Sequence, residues 1–153
     1  MPRRRIRRSQ LKTGEILCQY CTARCCRYFA LPIDPPTTWD EFDTCRWFLM
    51  HRQTAIFVDE GTWYLAVYTS CKHVTRDHRC SFYPQRPQIC RQYSPDHCEY
   101  DNDGCHDKLF ECAEQLWEYA EAVLPAGTMP VHLRPPPASE LPIVSLADLP
   151  PCG

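Results

Sequence analysis

Hydrophobic residues recur at helical spacing in the stretch that begins at Thr38. Thr38-Trp-Asp-Glu41 is a capping-box pattern, which predicts a helix that runs to about His51. Its predicted buried stripe recurs in steps of three and four residues and consists of Trp39, Phe42, Cys45, Phe48 and Leu49. Cys45 is a lone thiol among large apolar side chains, and we interpret it as a packing residue and not as a metal ligand.

A second helical pattern covers residues 107–124 and ends at Pro125 and Gly127. Its apolar face consists of Leu109, Cys112 or Ala113, Leu116, Ala120 and Val123. Between the two helical patterns, residues 54–58 and 62–69 are rich in β-branched and aromatic side chains. The turn residues between these two stretches predict a β-hairpin.

The remaining segments carry little periodicity. Residues 11–26 predict a short helix or helical turn that holds the first cysteines, and residues 27–33 predict a short extended segment. Residues 72–103 are rich in turn-forming residues, and such a segment needs metal or covalent clamping to become ordered. We therefore predict a small α+β domain with two main helices and a β-hairpin around a cysteine-bound metal site.

The two ends of the chain differ from this domain in composition. Five arginines lie within the first eight residues, and the last 29 residues hold eight prolines. We predict a disordered basic arm over residues 1–10, a metal-binding domain over 11–124 and a proline-rich tail over 125–153. The tail is predicted to be extended or disordered, with contacts to the domain through its apolar residues Leu141, Ile143, Val144 and Leu146.

The chain has 12 cysteines among 153 residues, and about 8% cysteine is the level at which a disulfide or metal scaffold becomes the default interpretation. No signal peptide and no apolar run of roughly 18 residues is present in the sequence. We therefore expect a cytoplasmic protein without a membrane partner, whose clustered thiols hold metal. Because the chain beyond the basic arm is acidic, we expect no nucleic-acid partner; an unknown protein partner remains open.

The cysteines predicted to bind metal form two blocks, and they are Cys18, Cys21, Cys25, Cys26, Cys71, Cys80, Cys90 and Cys98. Eight thiolates are twice the complement of a zinc site or an iron–sulfur cluster. Adjacent side chains such as those of Cys25 and Cys26 project in different directions. The pair is therefore predicted to face two metal centres, or one centre and the core.

The spacing of these cysteines bears on the kind of metal. Two simple zinc sites would show two Cys-x-x-Cys pairs, whereas this chain has one such pair followed by remote cysteines. This pattern favours an iron–sulfur cluster, expected as 4Fe–4S, over zinc only slightly, and both stay open. Arg86 and Arg91 flank Cys90 and are predicted to donate hydrogen bonds to sulfur or to offset the thiolate charge. Whether a histidine, Cys105 or Cys112 is a further ligand is left open.

The cysteine pattern resembles that of the YkgJ-type cysteine-cluster family. The resemblance covers about residues 15–103 and is carried by the run from Cys18 to Cys26 followed by Cys71-Lys-His-Val-x5-Cys80-Ser-Phe-Tyr-x2-Arg86-Pro-x2-Cys90-Arg-x-Tyr. It implies a bacterial zinc- or iron-chelating domain. A similarity to the cysteine-rich part of flagellin lysine N-methylases implies an iron–sulfur centre and a link to protein modification.

Metal binding through clustered thiolates is accordingly the function that the sequence predicts. One alternative is a redox or methyl-transfer enzyme, or an accessory protein, that uses the metal centre. No glycine-rich nucleotide loop is present among the five glycines, which argues against a self-contained methyltransferase. A second alternative is an adaptor that presents its proline-rich tail to a partner.

Overall fold

The computed structural model describes residues 6–98, 100 and 106–136. The predicted α+β class is confirmed, because these residues form helices and a four-stranded antiparallel sheet. In chain order the elements are β1 (Phe29–Ile33), α1 (Trp39–Leu49), β2 (Thr54–Asp59), β3 (Thr62–Val67), α2 (Gln88–Gln92), β4 (Lys108–Phe110) and α3 (Ala113–Val123). The strand order is β1-β3-β2-β4. None of the described helices has the length and apolar character that crossing a membrane requires.

The chain divides into two compact units. The cysteine-rich unit comprises Met1–Ala30 and Val67–Cys105, and the core unit comprises Leu31–Ala66 and His106–Gly153. The first segment of the core unit lies between the two cysteine blocks of the sequence, and its second segment follows them. Its hydrophobic cluster is built from α1, α3 and one face of the sheet.

Helix α1 begins as the capping box predicts. The Thr38 hydroxyl accepts a hydrogen bond from the Glu41 backbone N–H at 3.3 Å, and the Glu41 carboxylate accepts one from the Thr38 N–H at 3.1 Å. These two bonds satisfy amide groups that have no partner inside the helix. The side chain of Cys45 is 5% exposed and belongs to the hydrophobic cluster, which agrees with its interpretation as a packing residue.

The hairpin of β2 and β3 is confirmed, and the turn that joins the strands has positive φ at Glu60 and Gly61. Strand β3 presents Trp63 to the core, where its ring stacks on that of Phe110 with centroids 5.7 Å apart. On the other face of the sheet, Phe57 and Tyr64 stack at 5.0 Å. The alternation of the hairpin sequence therefore places aromatic side chains on both faces of the sheet.

The prediction of one helix over residues 107–124 is wrong in its first part. Residues Lys108–Phe110 form strand β4, which pairs antiparallel with β2, and only Ala113–Val123 is helical. Leu109 was assigned to the apolar helix face, but it lies opposite Phe57 in the sheet and is 43% exposed. The core side chain of this strand is Phe110. The pairing with β2 is a tertiary contact that overrides the local helical pattern.

The described part of the predicted tail lies against α1. Trp39 Nε1 donates a hydrogen bond to Thr128 Oγ1 at 3.0 Å, and His132 Nε2 lies 2.9 Å from Asp40 Oδ1. Met129 and Leu133 pack at the edge of the hydrophobic cluster. The tail contacts predicted for Leu141, Ile143, Val144 and Leu146 lie outside the described residues.

Replacing the buried thiol tests its packing role. We expect Cys45→Ala to lower the free energy of unfolding by about 1–3 kcal/mol, the usual range for a small core truncation, and to leave metal content unchanged. Denaturant unfolding followed by tryptophan fluorescence and metal analysis of the native variant measure both quantities. A loss of bound metal would identify Cys45 as a ligand.

The same thiol predicts a dependence of stability on alkaline pH. Burial, and then the nearby Glu41 carboxylate, raise the pKa of Cys45 from 9.0 to about 11. Above pH 9 the unfolded chain loses this proton while the folded protein keeps it, so folding stability falls until pH reaches about 11. The stability advantage of the wild type over Cys45→Ala should therefore shrink by about 2–3 kcal/mol across that window. An advantage that stays constant between pH 9 and 11 would contradict this titration.

Candidate metal centre

All eight cysteines predicted to bind metal belong to the cysteine-rich unit, whereas Cys45 and Cys112 belong to the core unit. Cys112 lies directly before α3 and is disulfide-bonded. Its sulfur is therefore not a free thiol that could bind metal. The eight and Cys45 carry no disulfide. Cys105 and Cys152 lie outside the described residues. The unit boundary therefore separates the eight predicted ligands from Cys45 and Cys112.

The first cysteine block is held by two single turns of 3₁₀-helix, at Leu17–Gln19 and Arg24–Cys26. A continuous helix over residues 11–26 does not form, because Gly14 and Ala23 have positive φ, of 89° and 57°. The left-handed backbone of Ala23 is uncommon for a residue with a side chain and reverses the chain just before the doubled cysteine. The first block is thus a folded loop that places Cys21 and Cys25 near each other, with the buried Leu17 as its apolar anchor.

The two cysteine blocks meet at the backbone of Cys26 and Cys71. The N–H of Cys71 donates a hydrogen bond of 2.7 Å to the carbonyl of Cys26. The sheet explains this contact, because Cys26 precedes β1 by a few residues and Cys71 follows β3 by a few residues. The two strands are antiparallel neighbours, so the start of one lies beside the end of the other. The fold of the sheet therefore brings together thiols that are far apart in sequence.

Cys71 and Cys80 lie on one tight loop. An isolated antiparallel bridge pairs Val74 with Cys80, and the Ser81 N–H donates a hydrogen bond to the His73 carbonyl at 2.9 Å. The backbone N–H of His73 also donates to Cys71 Sγ at 3.5 Å. A backbone donor to sulfur stabilises the thiolate form that binds metal. The ring of His73 stacks on Phe82, with centroids 4.6 Å apart.

Arg86 and Arg91 fold the loop around Cys90 through backbone carbonyls. Arg91 donates from Nε to the Arg86 carbonyl and from Nη2 to the Pro84 carbonyl, both at 2.9 Å. Arg86 Nε donates to the Tyr83 carbonyl, and its guanidinium lies 3.6 Å from the centroid of the Tyr83 ring. Both side chains thus shape the segment that presents the exposed Cys90 in α2.

Arg8 places its guanidinium on a cysteine sulfur. Arg8 Nη1 donates to the Pro95 carbonyl at 2.6 Å, and Nη2 donates to the carbonyl and to the Sγ of Cys98, at 3.3 Å and 3.4 Å. The sequence placed Arg8 in a basic arm that was predicted to be disordered. Its role was missed because an arginine run carries no local signal that identifies a partner about 90 residues away.

Electrostatic interactions connect the eight thiols. Burial, and then the neighbouring thiols of Cys26, Cys21 and Cys18, raise the pKa of Cys25 to about 12, although part of the residue stays exposed. Burial, and then Cys21 and Cys98, raise the pKa of Cys18. The thiols of Cys18 and Cys25 are therefore protonated at neutral pH in the metal-free protein. Metal binding has to displace these protons, so metal affinity should increase with pH.

Cys26 has different neighbours. Its pKa is raised first by burial, and negative charge on Cys71, Cys80 and Cys90 raises it further, whereas a hydrogen bond from Cys25 lowers it. Across the described residues, no group of three or more His, Cys, Asp or Glu side chains is arranged so as to hold a metal ion. The eight thiols interact electrostatically within one unit, but the described side chains do not form a ready metal cage.

Arg27 links the first block to two later loops. Its Nε donates to the Thr22 carbonyl at 3.1 Å, its Nη1 donates to Ser70 Oγ at 3.2 Å, and its Nη2 lies 3.0 Å from His78 Nδ1. Because a guanidinium only donates hydrogen bonds, His78 Nδ1 is the acceptor. These contacts fix the loop that contains the doubled cysteine next to the segments on either side of Cys71.

Removing this link should weaken metal binding without removing a ligand. For Arg27→Gln we expect metal affinity to fall by about 10- to 100-fold, as is usual for groups that orient metal ligands. Competition with a chelator of known affinity measures the change. Arg76→Gln is the matched control, because Arg76 is an exposed arginine of the same unit. Equal affinities for the two variants would contradict the role of Arg27.

No family model, curated protein or solved structure matches this chain.

Proposed function

We propose that this protein binds metal through clustered cysteine thiolates, either as an iron–sulfur cluster, expected as 4Fe–4S, or as zinc. The observation that carries the proposal is the placement of the eight cysteines. They come from two blocks that are separated by the whole first part of the core unit, and they become neighbours in one compact unit. The resemblance of the cysteine spacing to the YkgJ-type family supports the same chemistry.

The cysteine-rich unit has little apolar core to stabilise it. Among its described residues, Leu17 and Tyr100 are the buried hydrophobic side chains, whereas the core unit buries Trp39, Phe42, Leu49, Ile56, Leu116 and others. Loop segments that bury so little apolar surface do not offset the conformational entropy lost on folding. Metal–thiolate bonds supply that free energy in small cysteine-rich domains, which gives the metal a structural role here.

The donor chemistry fits zinc and iron–sulfur clusters. Thiolates are soft ligands that select these centres, and each centre takes four of them. Four thiolates concentrate negative charge, which hydrogen bonds to sulfur offset. Two such hydrogen bonds are present: the His73 backbone N–H donates to Cys71 Sγ, and the Arg8 guanidinium donates to Cys98 Sγ.

Anaerobic purification followed by metal analysis and absorption spectroscopy tests the proposal. Iron with inorganic sulfide and a broad absorption band near roughly 400 nm would identify a cluster, and colourless protein with zinc would identify zinc sites. Cys21→Ala and Cys90→Ala should lower the metal content, and Cys45→Ala is the matched control that should retain it. Protein that binds neither metal after anaerobic reconstitution with iron and sulfide or with zinc would refute the proposal.

The enzyme and adaptor alternatives make different predictions. A redox or methyl-transfer protein requires a metal centre that takes part in turnover. An adaptor requires the proline-rich tail over residues 125–153, of which residues 137–153 lie outside the described part of the chain. Metal binding is the property that the described contacts support.

A further inference from the structure

Helix α1 carries exposed apolar side chains near its C-terminal end. Trp47 is 57% exposed and Met50 is 72% exposed, although both are large hydrophobic residues. They are three positions apart, so they are neighbours on the helix surface. The Trp47 ring also lies 5.4 Å from the ring of Phe48, measured between centroids.

A groove of about 390 Å³ adjoins Met50 between α1 and α3. It is lined by Arg46, Met50, Ala113, Glu114, Trp117 and Glu118. The Arg46 guanidinium lies 4.6 Å from the centroid of the Trp117 ring, so an aromatic wall stands beside a charged rim. Trp47, Met50 and this groove form one continuous surface, which we call the α1 patch. Continuous exposed apolar surface with a polar rim is typical of a place that another segment or molecule covers.

The C-terminal segment of the chain already contacts the beginning of α1. Trp39 Nε1 donates a hydrogen bond to Thr128 Oγ1, and His132 Nε2 lies 2.9 Å from Asp40 Oδ1. The ring of Trp39 in turn lies 5.4 Å from that of Trp117, which lines the groove. The described part of this segment therefore lies next to the α1 patch.

The remaining chain is long enough to cover the patch. Asp40, Trp47 and Met50 are separated by seven and then three positions, which places them on one side of α1. Asp40 and Met50 are about 15 Å apart along the helix axis. An extended proline-rich chain spans about 28 Å between His132 and Leu141, so the residues from Leu141 onward can reach the whole patch.

The sequence beyond the described segment has the composition that such a surface binds. Residues 137–153 contain the apolar side chains Leu141, Ile143, Val144, Leu146 and Leu149. The same residues include four prolines, which limit the conformations available to the free segment. A segment restricted in this way loses less conformational entropy when it binds.

We propose that residues 137–153 dock on the α1 patch through the apolar run from Leu141 to Leu146. This inference goes beyond metal binding and does not depend on it, because α1, α3 and the C-terminal segment all belong to the core unit. A docked segment is not available to another protein, so an adaptor function would require its release.

Oxidation of Met50 by hydrogen peroxide tests the proposal on the full chain, with peptide mass spectrometry to follow sulfoxide formation. The double variant Leu141→Asp with Ile143→Asp should raise the oxidation rate of Met50 by about tenfold, the protection expected from a segment that is docked about nine-tenths of the time. Ala138→Asp with Ser139→Asp is the matched control, because it adds the same charge before the apolar run, and it should keep the wild-type rate. Equal rates in the wild type, the Leu141/Ile143 variant and a chain that ends at Pro136 would overturn the proposal.

A peptide of residues 137–151 should restore protection of Met50 in the chain that ends at Pro136. A short tether gives an effective concentration in the millimolar range, so about 1 mM of free peptide should suffice. Absence of protection at that concentration would overturn the proposal. A second copy of the chain is the competing occupant of the patch. Dimeric protein whose Met50 is protected without residues 137–153, and loses that protection on dilution, would assign the patch to the second copy and overturn the proposal.

The reciprocal variant alters the patch and leaves the segment unchanged. Trp47→Asp should increase cleavage after Glu140 by a glutamate-specific protease by about tenfold, because the undocked segment becomes accessible. Leu109→Asp is the matched control, since Leu109 is also exposed but lies opposite Phe57 in the sheet, away from α1. Equal cleavage rates in the two variants would contradict docking at Trp47.

Discussion

Removing the metal should unfold the cysteine-rich unit while the core unit keeps its fold. A structural zinc site contributes an apparent free energy of about 10–16 kcal/mol in small domains, more than the stability of many proteins. The cysteine-rich unit has few buried apolar side chains to compensate for such a loss. Chelation should therefore expose the backbone after Lys72, Arg76, Arg79 and Arg91 to trypsin.

The core unit supplies the internal control. Arg46 lies within α1, so trypsin should not cleave there in the chelated protein. All four tryptophans of the chain belong to the core unit, and their emission should stay unchanged on chelation. Restoring the metal should restore protease resistance after Lys72. Metal-free protein that resists trypsin at all these positions would contradict a structural role of the metal.

Leu116→Ala should lower the free energy of unfolding of the core unit by about 2–5 kcal/mol, because the side chain is 0% exposed at the centre of the hydrophobic cluster. Denaturant titration followed by tryptophan fluorescence measures the change. Metal content under native conditions should equal that of the wild type, since all eight proposed ligands lie in the cysteine-rich unit.

Val123→Ala is the matched control for this variant. It removes an aliphatic side chain from the same helix, but Val123 is 49% exposed, so its removal should cost less than about 1 kcal/mol. Similar losses in the two variants would show that Leu116 does not hold the central place in the hydrophobic cluster that its burial indicates.

Local patterns predicted the core unit well where one element carries its own signal. The capping box at Thr38 and the hairpin turn before Thr62 each depend on residues a few positions apart, and both elements form as expected. Strand β4 was missed because Leu109, Cys112 and Leu116 recur at helical spacing, and only the partner strand β2 decides that Lys108–Phe110 is extended. A three-residue strand has too few positions to show its own period.

The sequence predicted which cysteines are candidate ligands in the cysteine-rich unit, but it did not predict which of them contact distant parts of the chain. The spacing of the cysteines identified the eight candidate ligands, and the direction of adjacent side chains suggested that Cys25 and Cys26 face different centres. The interaction of Cys98 with Cys18 and the hydrogen bond from Arg8 to Cys98 depend on contacts across about 80–90 residues. Such contacts follow from how the chain folds back on itself, and no short pattern encodes them.

The contact between Cys26 and Cys71 has a consequence for how tightly metal is held. In a fully flexible chain, closing the loop of about 45 residues between them costs about 3 kcal/mol of chain entropy. In the folded protein this chain entropy is already lost before metal binds, because the pairing of β1 with β3 holds the two ends of the loop together. A chain whose core unit is unfolded should therefore bind metal roughly a hundredfold more weakly, although that unit contributes none of the eight proposed ligands. Folding of the core unit thereby raises the effective concentration at which the ligands of the cysteine-rich unit meet.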